Sequence, residues 1–576
     1  MRHVRRLLAV VFLVLPVVGA AQLVPLTAEF QVNSYTTSTQ RYPNVGTDAA
    51  GDFVVVWQSY GQDGDRNGIF GQRFNRAGAP LGTEFQVNTY TTGYQERPRV
   101  AVGSDGHFLV VWQSEGKDGD GFGIVARRYD SAGSPQGDEF VVNTYTTGDQ
   151  DLPKIAIAGT GSFVVAWESY DPDNSIEQTV VRRLDASGTP VGSEFVAVPD
   201  QSPDSVAADA AGNFVLAWTG FGEEGLNGGI DARRFDSDGN ALGTEFHVNT
   251  FTTSQQVGAS VAMGPTGNFV VIWDSFDQEA PSDTGVYGQR YDSTGAPLGT
   301  EFHVNTYTTG SQIRPDVALS PDGDFTVVWQ STEDGSGEGV IARHFRNDGA
   351  PDGPPLRLNT FVAGLQGFAT IAVQPGHEFV TSWMSQGQDG SLHAIIGRRI
   401  STLGDPIGAR KLIITTPRGG AAGNRLVFAS NDPAVSTPQN VAQDPRCAPA
   451  GSGTLASGAT LEVSGAGGTF TIALPCLRWT VNGTRTRWKY RDALGPTCRS
   501  ILVKPGRLRA VCKGAQVAYA LGAAQGDVSV VLTLGAPTAP LEQCVTFGTA
   551  SGAVVVRDGS DGRTYKALNA AATACP

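Results

Sequence analysis

Cysteine is missing from the first 446 residues; all six (Cys447, Cys476, Cys498, Cys512, Cys544 and Cys575) crowd into the final stretch. That excludes a thiol nucleophile and thiolate metal centres from most of the chain. Histidine is scarce as well, with seven in 576 residues. No HExxH, GxSxG, phosphate-binding or dinucleotide-binding pattern occurs, so no catalytic constellation stands out. Beyond the N-terminus no apolar run is long enough for a membrane-spanning helix. Nor does the body show any helical periodicity.

Residues 1–21 read as an export signal. Arg2, Arg5 and Arg6 precede an apolar run from Leu7 to Val18, and Val18-Gly19-Ala20 offers a small-residue cleavage site. The expectation is an exported protein, secreted or held at the cell surface. Charge then divides the rest. Residues 22–408 carry 21 Lys+Arg against 48 Asp+Glu, whereas residues 409–576 carry 18 against 8. A net-negative exported chain is a poor partner for nucleic acid.

What is abundant is repetition. Close variants of an EFxVN segment, PxVAV, GxFVVVW and GIxxxRF recur seven times. Their markers are Trp57, Trp112, Trp167, Trp218, Trp273, Trp329 and Trp383, spaced 55, 55, 51, 55, 56 and 54 residues apart. Such a period signals one supersecondary unit copied in tandem. In the second copy the four apolar segments are Glu84–Tyr90, Arg99–Val102, His107–Ser114 and Gly123–Asp130, separated by Gly, Asp, Ser and Pro turns. Phe53, Val55 and Trp57 alternate with Val54 and Val56, so both faces of that strand are apolar and need cover. Blades wedged around an axis supply it. The expected fold is all-β: a seven-bladed β-propeller over 22–408, with stacked β-sandwiches as the alternative.

GIxxxRF runs through a Gly/Pro turn into EFxVN, which reads as a hairpin between the third and outer strands. The first EFQVN, Glu29–Asn33, has no such partner before it and is expected to close the ring on Ile395–Ile400; Arg410–Ile414 is the rival. The tryptophans read as inter-blade packing rather than a carbohydrate platform. Arg127-Arg128, Arg182-Arg183, Arg233-Arg234 and Arg398-Arg399 are expected to form cross-strand ion pairs with Glu29, Glu84, Glu139, Glu194, Glu245 and Glu301. His247 and His303, which share a repeat position with Gln31 and Gln86, read as strand-surface residues.

Candidate chemistry is sparse. The loops after the Trp strands bring Asp63 with Asp65, Asp118 with Asp120, and Asp171 with Asp173, pairs able to offer oxygen ligands to Ca²⁺; no loop fills the spacing of a twelve-residue calcium loop, and solvated Asp-Gly turns are the preferred reading. Ser104–Trp112 and Ser320–Trp329 loosely resemble the Asp-box of sialidase-type propellers, but no arginine cluster or Tyr/Glu pair accompanies them.

Residues 409–576 read as a disulfide-bonded β-sandwich-like domain. Six cysteines in an exported chain allow fifteen pairings. Sequence order suggests 447–476, 498–512 and 544–575, with Lys504-Pro505-Gly506 turning a hairpin between Cys498 and Cys512. Asn482-Gly483 signals a second hairpin, whose alternation aligns Arg485, Arg487, Lys489 and Arg491 as a face able to hold an anionic glycan.

The run VVVWQSYGQDGDRNGIFGQ (Val54–Gln72) resembles repeats of uncharacterised secreted bacterial proteins. The tail, with LVFASNDPA (Leu426–Ala434), RWKYRD (Arg487–Asp492), CKGAQ (Cys512–Gln516) and a terminal ACP, is similar to a C-terminal module of other exported bacterial proteins. The resemblance implies a bacterial, extracellular setting and transfers no catalytic residue. The functional expectation is a non-enzymatic binding or adhesion protein for an extracellular glycan or protein, with Ca²⁺ as the one cofactor considered. A carbohydrate-active hydrolase or lyase with the tail as targeting module is the alternative.

Overall fold

The computed structural model describes residues 23–402 except 172–175, 221–227 and 335–336, and beyond them only the backbone of strands between 405 and 570. The signal segment, Cys447, Cys476, Cys575, Arg485, Arg487 and Asp173 lie outside the described residues. The chain divides into two compact units, one essentially Gln22–Thr402 and one Leu403–Pro576.

The first unit is a seven-bladed β-propeller of antiparallel sheets. Blade 1 comprises an inner strand Gln40–Thr47, a second strand Phe53–Tyr60, a third Asn67–Phe74 and an outer Phe85–Gln86. The seventh blade takes its outer edge from the beginning of the chain, with Phe30 opposite Gly397 and Gln31 opposite Ile396. Leu23–Pro25 pairs further along the same strand. The rival segment Ala409–Thr415 pairs instead with Arg425–Ser430 and Thr564–Ala570 in the tail. The only helix among the described residues is a single 3₁₀ turn, Thr332–Asp334.

The two apolar faces of each second strand feed different cores. Val54 and Val56 pack with Trp112 of the next blade, while Val55 and Trp57 pack with Val380 and Ile395 of the seventh. All seven marker tryptophans are buried in such inter-blade clusters. Six outer strands are shorter than the EFxVN motif because its Asn replaces the ladder with its side chain; in blade 3, where Val198 stands in its place, the strand runs on over Phe195–Pro199. The Ile69 N–H donates to Asn88 Oδ1 at 2.7 Å, and Ile124 to Asn143 at 2.8 Å. Asn88 Nδ2 then donates to the Tyr90 carbonyl, turning the chain toward the next blade.

The expected Arg–Glu ion pairs do not form; both residues bond backbone of neighbouring blades. Arg127 donates to the Val87 carbonyl of the preceding blade at 2.8 Å, and Arg128 to the Ser187 carbonyl of the following one at 3.2 Å. Glu139 accepts the N–H groups of Thr89 and Tyr90, and Glu194 those of Thr144 and Tyr145. Guanidinium forks and carboxylates satisfy buried loop backbone better than each other here.

The tail backbone forms a five-stranded and an eight-stranded sheet. Cys498 stands opposite Cys512 in its hairpin register. The second hairpin is described only in its strands. Its strands pair with Val481 opposite Trp488, and Asn482-Gly483 lies outside the described residues. Lys489 and Arg491 lie two residues apart on the strand Trp488–Arg491 and so share a face.

Candidate ligand site at the channel mouth

All seven inner strands carry a bulge near their beginning; in blade 4 it falls between Pro203 and Ser205. Register with the second strand slips between Arg41 and Asn44, Glu96 and Arg99, Asp151 and Lys154, Val257 and Ser260, Ile313 and Asp316, and Gly367 and Thr370. Within five of these bulges sits a non-glycine residue in the left-handed region: Tyr42 (φ 52°), Arg97 (55°), Leu152 (51°), Arg314 (54°) and Phe368 (55°). Each conformation costs roughly 1–2 kcal/mol for an L-residue and persists only where neighbours fix it. The residue after the marker Trp of the preceding blade does so. Gln58 Oε1 accepts the Arg97 N–H at 3.0 Å, Gln113 Oε1 that of Leu152 at 3.0 Å, and Asp274 Oδ2 that of Arg314 at 3.1 Å.

The bulges open onto an axial cavity of ≈ 530 Å³ walled by all seven inner strands. Four side chains from consecutive blades build one side of its mouth. The Arg97 guanidinium lies over the Tyr42 ring (4.7 Å), Tyr42 meets Phe368 edge-on (4.8 Å), and Arg314 lies over Phe368 (4.2 Å). One turn of the pleat deeper come Asn44, Arg99, Lys154, Ser205, Ser260, Asp316 and Thr370, with Asp204 beside them.

Carboxylates and cations in this channel are treated differently. Asp316 Oδ1 accepts from Ser260 Oγ and the Val317 N–H, and its Oδ2 accepts the Ile371 N–H, each at 3.0 Å. Asp204 Oδ2 accepts from Thr219 Oγ1 at 2.7 Å and the Ala259 N–H at 3.2 Å. These bonds stitch blade to blade, as Asn44 does by accepting the Val100 N–H. Arg99, by contrast, reaches only the carbonyl of Pro98, and no described carboxylate lies within ion-pair distance of Arg97, Arg99 or Lys154. Lys154 touches channel water yet has protein around it. Burial, then the nearby Arg99, push its ammonium down to about 7, against the pull of Asp204. Burial lowers Arg99 likewise and raises Asp204 and Asp316.

Blade 3 adds a carboxylate pair. Asp151 stands directly across from Glu168 in the ladder. Burial, then Glu168 and Asp149, raise Asp151 to about 7, and one of its oxygens is buried without a hydrogen-bond partner. Burial raises Glu168 too, although Ser202 donates to it.

The residues singled out from the acidic loops lie elsewhere and serve the loops themselves. Asn88 donates to Asp63 and Asn143 to Asp118; Gly93 and Gly148 N–H groups donate to Asp65 and Asp120. Asp171 ends the second strand of blade 3. None of these carboxylates joins a grouping of three ligand atoms among the described residues.

The channel set does not stand out in the sequence because the repeats are recognisable by what they share. Aligned on the inner strand, they read QRYPN, QERPR, QDLPK, QSPDS, QVGAS, QIRPD and QGFAT; the variable positions on either side of the Pro/Ala are the channel residues.

No family model matches the sequence. No curated protein matches it either. Among solved structures, a protein of unknown function from Dyadobacter fermentans aligns at 11% identity and TM-score 0.41, over 66% of this chain and 99% of that one. Raptor from Chaetomium thermophilum aligns at 14% and 0.40, over 66% and 29%. The α-L-arabinofuranosidase PaAbf62A of Podospora anserina, solved with cellotriose, aligns at 13% and 0.27, over 46% and 92%.

Proposed function

We propose that the chain is an exported binding protein whose propeller takes a short acidic saccharide at the mouth of its axial channel. One observation carries this reading: Arg97, Arg99 and Lys154 converge on the cavity with no described carboxylate within ion-pair distance, while Asp204 and Asp316 are held by hydrogen-bond donors of the propeller itself. Uncompensated cations in a partly desolvated site favour an anion, and a bound carboxylate or sulfate would restore the ordinary protonation of Lys154. The Tyr42 and Phe368 rings hold their guanidiniums in place, so little ordering is left to binding. The acidic body around the channel repels long polyanions, which selects a short ligand. Three disulfides in the tail, its basic strand (Arg485, Arg487, Lys489, Arg491) as a second glycan contact, and Ca²⁺ in the loops of Asp63/Asp65, Asp118/Asp120 and Asp171/Asp173 belong to the same proposal.

A channel of blade-specific side chains departs from the repeated surfaces expected of an adhesin, and the Asp151/Glu168 pair favours a second reading. A carboxyl group titrating near neutrality beside a second carboxyl is what general acid catalysis of glycoside cleavage needs. One experiment separates the two. The mature protein is screened against uronic-acid, sulfated and neutral glycans, with and without EGTA, and the bound glycans are assayed for cleavage. The binding reading expects retention of acidic glycans only, lost in Arg97→Met and Lys154→Met, with the glycan intact. The carboxylate and sulfate arms identify the anion. Uniform blanks, or neutral glycans held equally by the variants, overturn it. Cleavage that Asp151→Asn abolishes establishes the hydrolase.

A further inference from the structure

At the opposite end of the inner strands, between blades 6 and 7, three positions break the repeat together. The turn from inner to second strand uses a left-handed glycine in six blades: Gly51, Gly106, Gly161, Gly212, Gly267 and Gly323, with φ between 82° and 95°. In the seventh that place is His377, at φ 57°, directly after a left-handed Gly376 at 79°. The third strand carries Arg at one register position in six blades (Arg73, Arg128, Arg183, Arg234, Arg290 and Arg399); in blade 6 it is His344. The second-strand residue opposite is Val or Leu in those six blades, and Thr326 opposite His344. Three departures in one place, one of them a strained histidine and one a hydroxyl buried in a core, require a shared benefit.

They surround the turn of blade 6. His377 Nε2 lies 3.4 Å from Asp322 Oδ2, and His344 Nε2 lies 3.9 Å from Asp324 Oδ2. Ligand atoms of Asp322, Asp324 and His377 all fall within 4.8 Å of one another. The other atom of His344, Asp324 and Asp322 is engaged. Thr326 Oγ1 bonds His344 Nδ1 at 2.8 Å, the Asn347 N–H donates to Asp324 Oδ1 at 2.7 Å, and the Asp324 N–H to Asp322 Oδ1 at 3.3 Å. A hydroxyl on Nδ1 that turns Nε2 toward carboxylate oxygens is how outer-shell groups orient imidazole ligands. Asp322, Asp324 and His377 remain partly open to water, at 17–23% side-chain exposure, whereas His344 is nearly buried.

We propose that Asp322, Asp324 and His377, with His344 as fourth ligand, form a binding site for a divalent transition metal that clips blade 6 to blade 7. Imidazole with carboxylate suits Zn²⁺ or its Co²⁺ substitute. Ca²⁺ prefers all-oxygen shells, and no thiolate is present for Cu⁺. The site is independent of the channel and of the acidic loops.

The test uses the full mature chain, stripped with EDTA, and titration with Zn²⁺ and Co²⁺ alone. The expected result is uptake with a rise in melting temperature and, for Co²⁺, the visible absorption of a low-coordinate centre. His377→Gly and His344→Arg install the residues that the other six blades use, so both variants should fold. His377→Gly should melt higher than wild type without metal, from relief of the left-handed strain, yet bind Zn²⁺ at least about 10-fold more weakly, and His344→Arg should bind more weakly too. Zn²⁺ isotherms and Co²⁺ spectra unchanged in both variants overturn the site, because any metal then sits elsewhere. So does a wild-type chain that takes up neither ion at millimolar concentration.

Discussion

The inter-blade faces and the axial face of this propeller are made by strands lying side by side, yet they obey opposite rules. Between blades the same kinds of residue return: a Trp in all seven, an apolar run before it in most, and in six an Asn that replaces a ladder bond. On the axis, equivalent positions hold Asn44, Arg99, Lys154, Ser205, Ser260, Asp316 and Thr370. Packing between identical wedges has one good solution, so it is copied. A ligand needs a particular arrangement of charge, and seven copies of one residue cannot supply it. The positions where the repeats disagree are therefore the informative ones.

This contrast can be broken from the packed side with the largest effect. Trp112→Ala removes a fully buried ring from the core shared by blades 1 and 2. It should cost about 3–5 kcal/mol, read as a shift in denaturant midpoint. It also orphans Gln95, whose Oε1 accepts the indole N–H at 3.2 Å. A loss below about 1 kcal/mol would mean that the wedges are not what holds the ring.

On the axial side the sign should reverse. Lys154→Met removes an ammonium that burial disfavours and that has no carboxylate within ion-pair distance. The folded Lys154 titrates near 7 while the unfolded one titrates near 10.5, so its cost is full below pH 7 and fades as pH rises toward the unfolded value. The variant should melt a few degrees higher at pH 6 and no higher at pH 11, while losing acidic-glycan binding. A lower melting temperature at pH 6 would show that the cation is structural rather than held for a ligand.

The ring, its seven wedges and its closure were legible in the sequence because each depends on a residue type repeated at fixed distance. The Arg and Glu partners were misread for a geometric reason. Within one blade Arg127 and Glu139 belong to adjacent strands, but their bonds run to Val87 and to Thr89 and Tyr90 in the blade before, some 40 to 50 residues away. Pairing rules for a single sheet do not see a neighbouring sheet. The channel was illegible for a different reason: Tyr42, Arg97, Arg314 and Phe368 meet around the axis only once the ring is closed, and in the linear chain they look like noise beside a Pro or Ala. His377 was hidden similarly, since a substituted turn glycine has meaning only when the turn of the adjacent blade faces it.

The finest test of the comparison lies within blade 3, where one strand contributes both Asp151 and Lys154. Asp151 titrates near 7 in the folded chain against 3.8 ordinarily, chiefly from burial and then from Glu168 and Asp149. A raised carboxyl binds its proton more tightly when folded, so stability falls as pH rises from about 4 to 7 and stays reduced above. Asp151→Asn keeps the shape and removes the charge. It should raise the melting temperature by a few degrees at pH 8 and leave it unchanged at pH 3, where both folded and unfolded Asp151 are neutral. A stabilisation independent of pH would place the effect in packing and remove Asp151 from the electrostatics of the mouth.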